Sequence, residues 1–485
     1  MYKHNQKQMI LPHEFFLPFT GKLNPENRWC KLAAIIPWDI IEDRYIKNFK
    51  NTKSGNEAFS IRTALGSLII QTHEKLSDEK LLLQLSENPY MQYFIGLDAF
   101  VEKPPFDSSL MVHFRKRLGK DIINEVNELI ARPDISTDDI DDNNSGGKKA
   151  KDKESEKKLD EEIKNAGKLI LDATCVPADI RYPTDIWLLN KSREAFEEII
   201  DVLHRPHIGF SKKPRTYRNC ARKEYLNIDK KKRPSAKEIR KGIGKQLRYI
   251  QRDLESIEDL IEKSSLKLLD RGQYRKLLIS NEIYRQQLEM YQNRSHKIDD
   301  RIVSLHMPFV RPIVRGKTNA PVEFGAKLSI GVIDGYVYME DLRFDAYNEG
   351  VTLIASVEKY NKKFGFYPQA VIADKIYRNR ANLAYCKKNG IRLSGPPLGR
   401  PTSDKVLLKE QRRQERKESG IRNSVEGKFG EGKRVYGLDR LMTRLEDTSE
   451  TVIAITILVM NLEKRLRVLI VQFFKRLFRI PMWTN

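Results

Sequence analysis

Arg422, Glu426 and Lys433 combine two cations and one carboxylate at helical spacing in the stretch RNSVEGKFGEGK. Positions i, i+4 and i+11 fall on one stripe of a helix with 3.6 residues per turn. A carboxylate between two cations on one face could ligate a metal ion while the cations bind phosphates. A solvated face with an ordinary ion pair is the commoner explanation for such a triplet.

Glycines in the same stretch oppose a long helix. Gly427, Gly430 and Gly432 are poor helix formers. Either the helix is short and begins near Asn423, or small residues are needed because something approaches the backbone closely. The charged stretch before it, residues 403–419, is a helix or an arm.

Two aspartates elsewhere follow apolar runs that are typical of β-strands. Asp172 comes after the run in GKLILDATCVPAD, and Asp374 follows the strand at residues 369–373. A carboxylate placed directly after a buried run is unfavourable unless something compensates it. A metal ion is one compensation, and a turn that ends the strand is the other explanation.

These acids can meet Glu426 if the two strands are neighbours. Strand ends in an α/β sheet cluster on one edge, and Glu426 could reach that edge from a helix laid across it. Three carboxylates with two Mg²⁺ ions suit in-line phosphoryl transfer, in which one ion activates the attacking oxygen and the other stabilises the leaving oxygen.

The composition favours a polyanionic partner. The chain has 485 residues, a formal net charge of +22 and a 40% apolar fraction, so two or three domains with real cores are expected. Nucleic acid is the leading partner and an acidic membrane surface the second. Four dispersed cysteines without a CxxC pair argue against structural zinc and fit a reducing cytosol. No signal peptide is apparent, and the longest apolar run is too short to span a bilayer.

The N-terminal part predicts a helical module. Residues 60–72 carry a 3.6-period apolar stripe, and Ser77 and Ser109 precede further helices as N-caps. Such a module suits recognition of DNA ends, while a dimerisation or packing domain is an equally good interpretation. Residues 134–165 are polar and charged, which predicts a disordered linker.

A basic helical insertion follows the first strand. Residues 184–203 predict an amphipathic helix, and residues 211–248 contain 15 Lys/Arg against 3 Asp/Glu, a net charge of +12. Two apolar stripes, 239–260 and 284–305, then predict an antiparallel coiled-coil hairpin. Its role is structural or dimerising, and phosphate contact by the basic stretch is the second interpretation. After the insertion, Asp334-Gly335 predicts a hairpin turn between two strands.

Two weaker signals have ordinary explanations. His204 and His207 form an HxxH, but no Cys or carboxylate lies at a ligand-like spacing, so a metal role is not favoured. The basic apolar end, LIVQFFKRLFRIPMW, is typical of a docking helix, with a membrane role as the alternative.

The chain resembles bacterial insertion-sequence transposases of the DDE type, which have an RNase H-like catalytic core. The resemblance covers most of the chain, from about residue 59 to about residue 462, and is strongest in LILDATCVPADIRYPTD, VIADKIYRNRANL and RNSVEGKFGEGKRVYGL. The family's third acid lies in a Tyr-Arg-Glu-Lys pattern with two, three and six intervening residues. Arg422, Glu426 and Lys433 match this pattern, whereas Ser419 stands at the Tyr position, which puts aromatic stacking there in doubt.

The resemblance implies the chemistry and its residues. Asp172, Asp374 and Glu426 would be the catalytic acids and the ligands of two Mg²⁺ ions, for which Mn²⁺ can substitute. Arg422 and Lys433 would contact phosphates at the transposon end. The enzyme would bind terminal inverted repeats in double-stranded DNA, cut to free a 3′-hydroxyl, and join that hydroxyl to target DNA. The resemblance also implies a homodimer in the synaptic complex and no membrane partner. It further implies a cytoplasmic, nucleoid-associated location.

The expected fold class is mixed α/β, or α+β. An RNase H-like sheet with flanking helices is interrupted by the helical hairpin and preceded by the helical N-terminal domain. The alternatives to a transposase are a nuclease on the same core that cuts without joining, and an inactive DNA-binding descendant. The predicted domains are 1–133 (helical, DNA end binding), 134–165 (linker), 166–204 (first part of the core), 205–305 (insertion), 306–462 (remainder of the core) and 463–485 (basic tail).

Overall fold

A computed structural model describes residues 10–47, 49, 57–133, 165–314, 322–396 and 404–478. Nearly all of the predicted linker 134–165, and the end of the tail after residue 478, lie outside the described residues. The chain divides into two compact units. The first comprises Met1–Pro177, Lys327–Arg343 and Tyr347–Asn485, and the second comprises Ala178–Ala326 and Phe344–Ala346.

The helices and strands alternate in blocks along the chain. The helices are α1 (Arg28–Ile35), α2 (Trp38–Ile46), α3 (Ile61–Glu74), α4 (Asp78–Glu87), α5 (Pro89–Phe94), α6 (Leu110–Ile130), α7 (Asp185–His204), α8 (Arg218–Asp229), α9 (Ala236–Lys263), α10 (Arg271–Gln292), α11 (Leu353–Phe364), α12 (Arg380–Lys388), α13 (Lys405–Tyr436) and α14 (Glu446–Phe478). The strands are β1 (Lys168–Pro177), β2 (Arg311–Val314), β3 (Val322–Ile333), β4 (Tyr336–Arg343), β5 (Ala370–Ile372) and β6 (Arg392–Leu393).

Side-chain caps fix where the N-terminal helices begin. Ser60 accepts a hydrogen bond from the Thr63 amide at the start of α3, and Ser77 accepts one from the Lys80 amide at the start of α4. Such caps satisfy amides that have no partner within the helix. The predicted start of α4 at Ser77 and the apolar stripe of α3 are therefore confirmed, and α3 is buried along most of its length. The prediction that Ser109 caps α6 is wrong, because Ser109 is helical and its side chain forms no capping hydrogen bond; Asp107 instead accepts from the Ser109 amide at 2.9 Å.

The long helix α14 joins the N-terminal helices to the rest of the first unit. It packs along α6 and also contacts α3, α13 and β4. Asn461 on α14 donates to the Asn127 side chain at 2.7 Å and to the Val337 carbonyl at 2.7 Å, and Asn127 donates to the same carbonyl at 3.0 Å. Because these groups are buried, the shared bonds fix the register of α6 and α14 against the sheet.

The sheet is mixed, with β1 and β5 at its centre. Its strand order is β2-β3-β1-β5-β6, and β4 pairs with β3. β1 pairs in parallel with β5, and β5 in parallel with β6, whereas β4 is antiparallel to β3. The β3–β4 turn has positive φ at Asp334 (45°) and Gly335 (70°), so the predicted Asp-Gly hairpin is confirmed.

The second unit contains a helical bundle. α9 and α10 both pack on α7, and α8 packs on α7 and α9, around a core that includes Phe196, Leu247 and Ile257. The insertion therefore differs from an isolated two-helix hairpin. The prediction that the second helix extends to Leu305 is wrong, because α10 ends at Gln292, where Arg294 adopts a left-handed conformation (φ 51°).

The structure confirms the predicted mixed α/β class, with helices flanking a mixed sheet and a helical insertion between β1 and β3. The predicted domain boundaries and the role of each domain remain predictions. None of the described helices combines the length and the apolar character that a membrane span needs.

A buried carboxyl in the bundle predicts pH-dependent stability. Burial, followed by the negative charge of Glu197, raises the pKa of Asp253 to about 8 from 3.8. Between about pH 4 and pH 8 the folded state then holds more protons than the unfolded state, so stability falls as pH rises. We expect Asp253→Asn to raise the free energy of unfolding at pH 8 by about 1–3 kcal/mol and to have little effect at pH 4.

Denaturant unfolding at both pH values measures this difference. Asp259→Asn is the matched control, because Asp259 lies on the same helix and is exposed. If Asp253→Asn stabilised the protein equally at both pH values, it would contradict the claim that the Asp253 carboxyl of the folded protein is charged only above neutral pH.

Candidate active site

The pairing of β1 with β5 brings Asp172 and Asp374 to the same level of the sheet. Lys168 pairs with Ala370 and Ile170 with Ile372, so each aspartate lies two residues beyond a paired position. β5 ends before Asp374, as the sequence predicts. β1 continues through Asp172 to Pro177, so the predicted strand at residues 167–179 is confirmed. The expectation that Asp172 lies at the end of that strand is wrong, because it lies in the middle of β1.

Glu426 lies on α13, which is one helix of 32 residues. The prediction left open a short helix near Asn423, and the structure instead joins that stretch to the charged segment before it. Tertiary contacts outweigh the weak helix propensity of the glycines: Val425 is fully buried, and Glu418 is buried in an ion pair with Arg392 of β6.

The glycines of α13 differ in their surroundings. At Gly432 a Cβ would lie 2.9 Å from Leu438 Cδ1 and 3.4 Å from Met460 Sδ, so the absence of a side chain allows α13 to approach α14. At Gly420 and Gly427 a Cβ would have no heavy atom within 4 Å among the described residues. Packing within the chain therefore requires Gly432 but not Gly427.

Arg422 connects two of the predicted catalytic acids. Its Nη1 donates to Asp374 Oδ1 at 3.1 Å, and its Nη2 lies 3.6 Å from Glu426 Oε1. The three side chains are partly exposed, at 32% for Arg422, 47% for Asp374 and 60% for Glu426. They are thus accessible to a ligand from solvent while the guanidinium offsets the repulsion between the carboxylates.

Asp172 is the most enclosed of the three acids. Burial raises the pKa of its carboxyl, while the hydrogen bond from the Ala173 amide and the charge of Arg422 lower it. The negative charges of Glu349 and Asp374 also raise this pKa. Among the described residues, no Lys or Arg forms an ion pair with Asp172 within 4.0 Å. Its ionised form therefore lacks a close countercharge.

Lys433 contacts the same strand by a different route. Its Nζ donates to Thr174 Oγ1 at 2.9 Å. The sequence does not predict Thr174 or Glu349 as residues of the site. Thr174 lies two residues after Asp172, and because side chains alternate along a strand, it shares the Asp172 face of β1. No local sequence pattern marks Glu349, because it comes near Asp172 only through the path that the chain takes after β4.

The structure brings the predicted residues together to different degrees. Arg422 touches Asp374 and Glu426, Asp172 is coupled to Arg422 and Asp374 through charge alone, and Lys433 reaches β1 through Thr174. Within the described ranges, no group of three His, Cys, Asp or Glu side chains is arranged to hold a metal ion. His207 instead contacts Ser264 Oγ at 2.7 Å, and His204 contacts the Ser211 carbonyl at 3.2 Å, which explains the HxxH by ordinary hydrogen bonding.

Two family profiles match separate parts of the chain. Residues 371–463, which include Asp374, Arg422, Glu426 and Lys433, match the transposase DDE domain. Residues 18–117, which include α1 to α5 and the start of α6, match a transposase domain (DUF772). The two matches support an insertion-sequence transposase of the DDE type, as the sequence predicts.

A relative in Rhizobium meliloti, the uncharacterized protein ORF8 in the nfe locus, is 31% identical over 104 residues. This alignment covers 21% of the present chain and 49% of the relative, so the chain spans about half of that protein's length. No solved structure matches the chain.

The glycines of α13 give a test of how this helix is positioned. We expect Gly432→Ala to lower the melting temperature, because the added methyl group would lie 2.9 Å from Leu438 Cδ1 and 3.4 Å from Met460 Sδ of α14, so that both side chains would have to move. Gly427→Ala is the matched control and should stabilise the protein by about 0.5–1 kcal/mol, since alanine is the better helix former and the position is open. Thermal unfolding of both variants measures the effect, and a more stable Gly432→Ala protein would contradict the packing described.

Proposed function

We propose that the chain is a DDE transposase that binds the ends of an insertion sequence, cleaves DNA there and joins the freed 3′-hydroxyl to target DNA. The observation that carries this proposal is the contact of Arg422 with both Asp374 and Glu426 beside Asp172. The transposase family matches support the same conclusion, because these contacts lie largely within the matched DDE domain. The substrate is double-stranded DNA, at the terminal inverted repeats and at the target.

The chemistry of the three acids suits a divalent cation, although their side chains are not already gathered as a metal-binding group within the described residues. Asp172, Asp374 and Glu426 offer only carboxylate oxygens, which Mg²⁺ and Mn²⁺ prefer. The pKa of Asp172 is raised by burial without a close countercharge, so a cation beside it would stabilise its ionised form. Two Mg²⁺ ions held by these three acids would supply Lewis-acid stabilisation of the attacking and leaving oxygens.

Arg422 and Lys433 position the DNA backbone in this proposal. Arg422 presents a planar guanidinium that can bind a phosphate in a bidentate manner, and at 32% exposure it can exchange a carboxylate for a phosphate without leaving the site. The hydrogen bond to Thr174 holds the Lys433 ammonium over β1, the strand that also carries Asp172. Both cations thus orient the scissile phosphate toward the acids.

Transposition requires two DNA ends held together, so we propose that the active complex is a homodimer on DNA. The net charge of +22 supports attraction of DNA over a large part of the surface. A reaction that stops after cleavage would define a nuclease instead, and the distinguishing step is joining of a pre-cut end to target DNA.

Substitution of the acids tests the catalytic assignment. We expect Asp172→Ala, Asp374→Ala and Glu426→Ala each to reduce cleavage by at least about 10³-fold while DNA end binding is retained, because each change removes a metal ligand but no phosphate contact. The substrate is a plasmid that carries both ends of the insertion element encoding the chain, with Mg²⁺ or Mn²⁺ present. Gel analysis measures cleavage, and a pre-cut end measures joining.

Glu410→Ala is the matched control, because Glu410 is an exposed acid on the same helix as Glu426. Full cleavage by the Glu426→Ala protein would refute the acid assignment. Arg422→Gln and Lys433→Gln should instead weaken DNA binding and reduce its salt slope by about one each. Cleavage without joining of a pre-cut end would make the chain a nuclease.

A further inference from the structure

An apolar tip projects from the helical bundle of the second unit. This apolar tip consists of residues 208–210, where Phe210 is 90% exposed and Ile208 is 68% exposed. Phe210 is thus among the most exposed large apolar side chains of the described residues. Keeping such side chains in water is unfavourable, and the packing of this unit gives no reason for them.

The apolar tip is held in place although its side chains are free. The amides of Phe210 and Ser211 both donate to the His207 carbonyl at 3.0 Å, and Gly209 has the positive φ (89°) that this tight turn requires. His207 is fixed in turn by Ser264 Oγ at 2.7 Å. The loop therefore presents Phe210 in a defined position and does not fold it back onto the bundle.

The same unit carries a face of stacked arginines and tyrosines, formed by the segment after the tip and by α9. This basic–aromatic face consists of Arg215, Tyr217, Tyr249 and Arg252. Arg215 lies 4.6 Å from the Tyr217 ring centre, and Arg252 lies 5.0 Å from the ring centres of both Tyr217 and Tyr249. Arg215 and Arg252 are exposed and have no carboxylate partner among the described residues.

The positive charge around the apolar tip favours a polyanionic partner. Residues 211–248 carry a net charge of +12, and Lys212 is an exposed cation next to the tip. A surface with this charge attracts a polyanion, and interleaved tyrosines and arginines offer flat surfaces for nucleobases. An apolar side chain that projects from a basic surface is also a known means of opening a step between stacked bases.

We propose that the basic–aromatic face binds the DNA backbone and that Phe210 stacks on an unstacked or unpaired base of the same DNA. The inference rests on the proposed function only in taking DNA as the ligand. It gives the insertion a DNA-distorting role that is independent of the metal-binding acids, and it needs no divalent ion.

Binding to two DNA duplexes tests this assignment. One duplex carries a short single-stranded gap that contains 2-aminopurine, and the other is fully paired with the same sequence. The full chain is used in EDTA so that no cleavage occurs. We expect Phe210→Ala to weaken binding to gapped DNA by about tenfold, which corresponds to ~1.4 kcal/mol, and to affect paired DNA less. It should also remove the change in 2-aminopurine fluorescence on binding, whereas Phe210→Trp should retain both properties.

Two further variants separate stacking from charge and from general surface effects. Leu278→Ala removes a side chain of the same unit that is 55% exposed, and it should bind both duplexes like the wild type. Lys212→Ala combined with Arg215→Ala should weaken binding to both duplexes alike and reduce the salt slope, because phosphate contacts do not depend on base pairing.

Several results would overturn the proposal. These are wild-type binding and fluorescence in Phe210→Ala, an equal loss in Leu278→Ala, or a change of oligomeric state in Phe210→Ala without a change in DNA binding, which would make the tip a protein interface. Because all measurements exclude divalent ions, failure here leaves the cleavage tests of Asp172, Asp374 and Glu426 untouched. Equally, if variants of those acids still cleaved DNA, the DNA-binding result for Phe210 would remain valid.

Discussion

The site depends on charge compensation between Arg422 and the acids around it. Asp172 is partly buried without a close countercharge, and Asp374 lies near enough to raise its pKa. Carboxylates that share a site repel one another, so they stay ionised together only beside a cation. Arg422 supplies this positive charge from α13 by contacting Asp374 and Glu426. The same carboxylate oxygens are the ones that a divalent ion would use.

The position of α13 therefore decides whether a site exists. Its buried Val425 and the close contact of Gly432 with Leu438 and Met460 hold it against the rest of the first unit. The N-terminal helices contribute as well, because Lys75 donates to the Arg434 carbonyl near the end of α13. The two segments that match transposase families thus belong to one compact unit.

This arrangement bears on the role of the N-terminal module. The sequence left end recognition and packing equally open, and the structure provides direct packing of α3 and α6 on α14. His73 adds a partly buried polar contact, since its ring lies 3.0 Å from Glu463 of α14. A scaffold role for these helices follows from the contacts, while recognition of DNA ends stays a prediction.

The sequence predicts those features that depend on local patterns. Apolar periodicity and serine caps predict α3 and α4, and the Asp334-Gly335 turn predicts the β3–β4 hairpin. The neighbouring strands of Asp172 and Asp374 were predicted from their apolar runs, but their parallel pairing is a tertiary property.

Long-range packing accounts for what the sequence does not predict. α13 runs through its glycines because burial of Val425 and Glu418 outweighs their low helix propensity. α10 ends early because a left-handed residue follows it, although the apolar spacing continues to Leu305. Glu349 approaches Asp172 only through the folded path of the chain, which no local pattern encodes.

Metal-directed backbone cleavage tests most directly whether the three acids form one divalent-ion site. Fe²⁺ bound in place of Mg²⁺ reduces added H₂O₂ to hydroxide and a hydroxyl radical, and ascorbate returns the Fe³⁺ to Fe²⁺. The radicals cut the polypeptide close to the ion, and mass spectrometry locates the cuts. A shared site predicts cuts near Asp172, Asp374 and Glu426 together, all suppressed by excess Mg²⁺ and all lost in Asp374→Ala. Cuts near only one of these residues, or at sites unaffected by Asp374→Ala, would contradict a shared site.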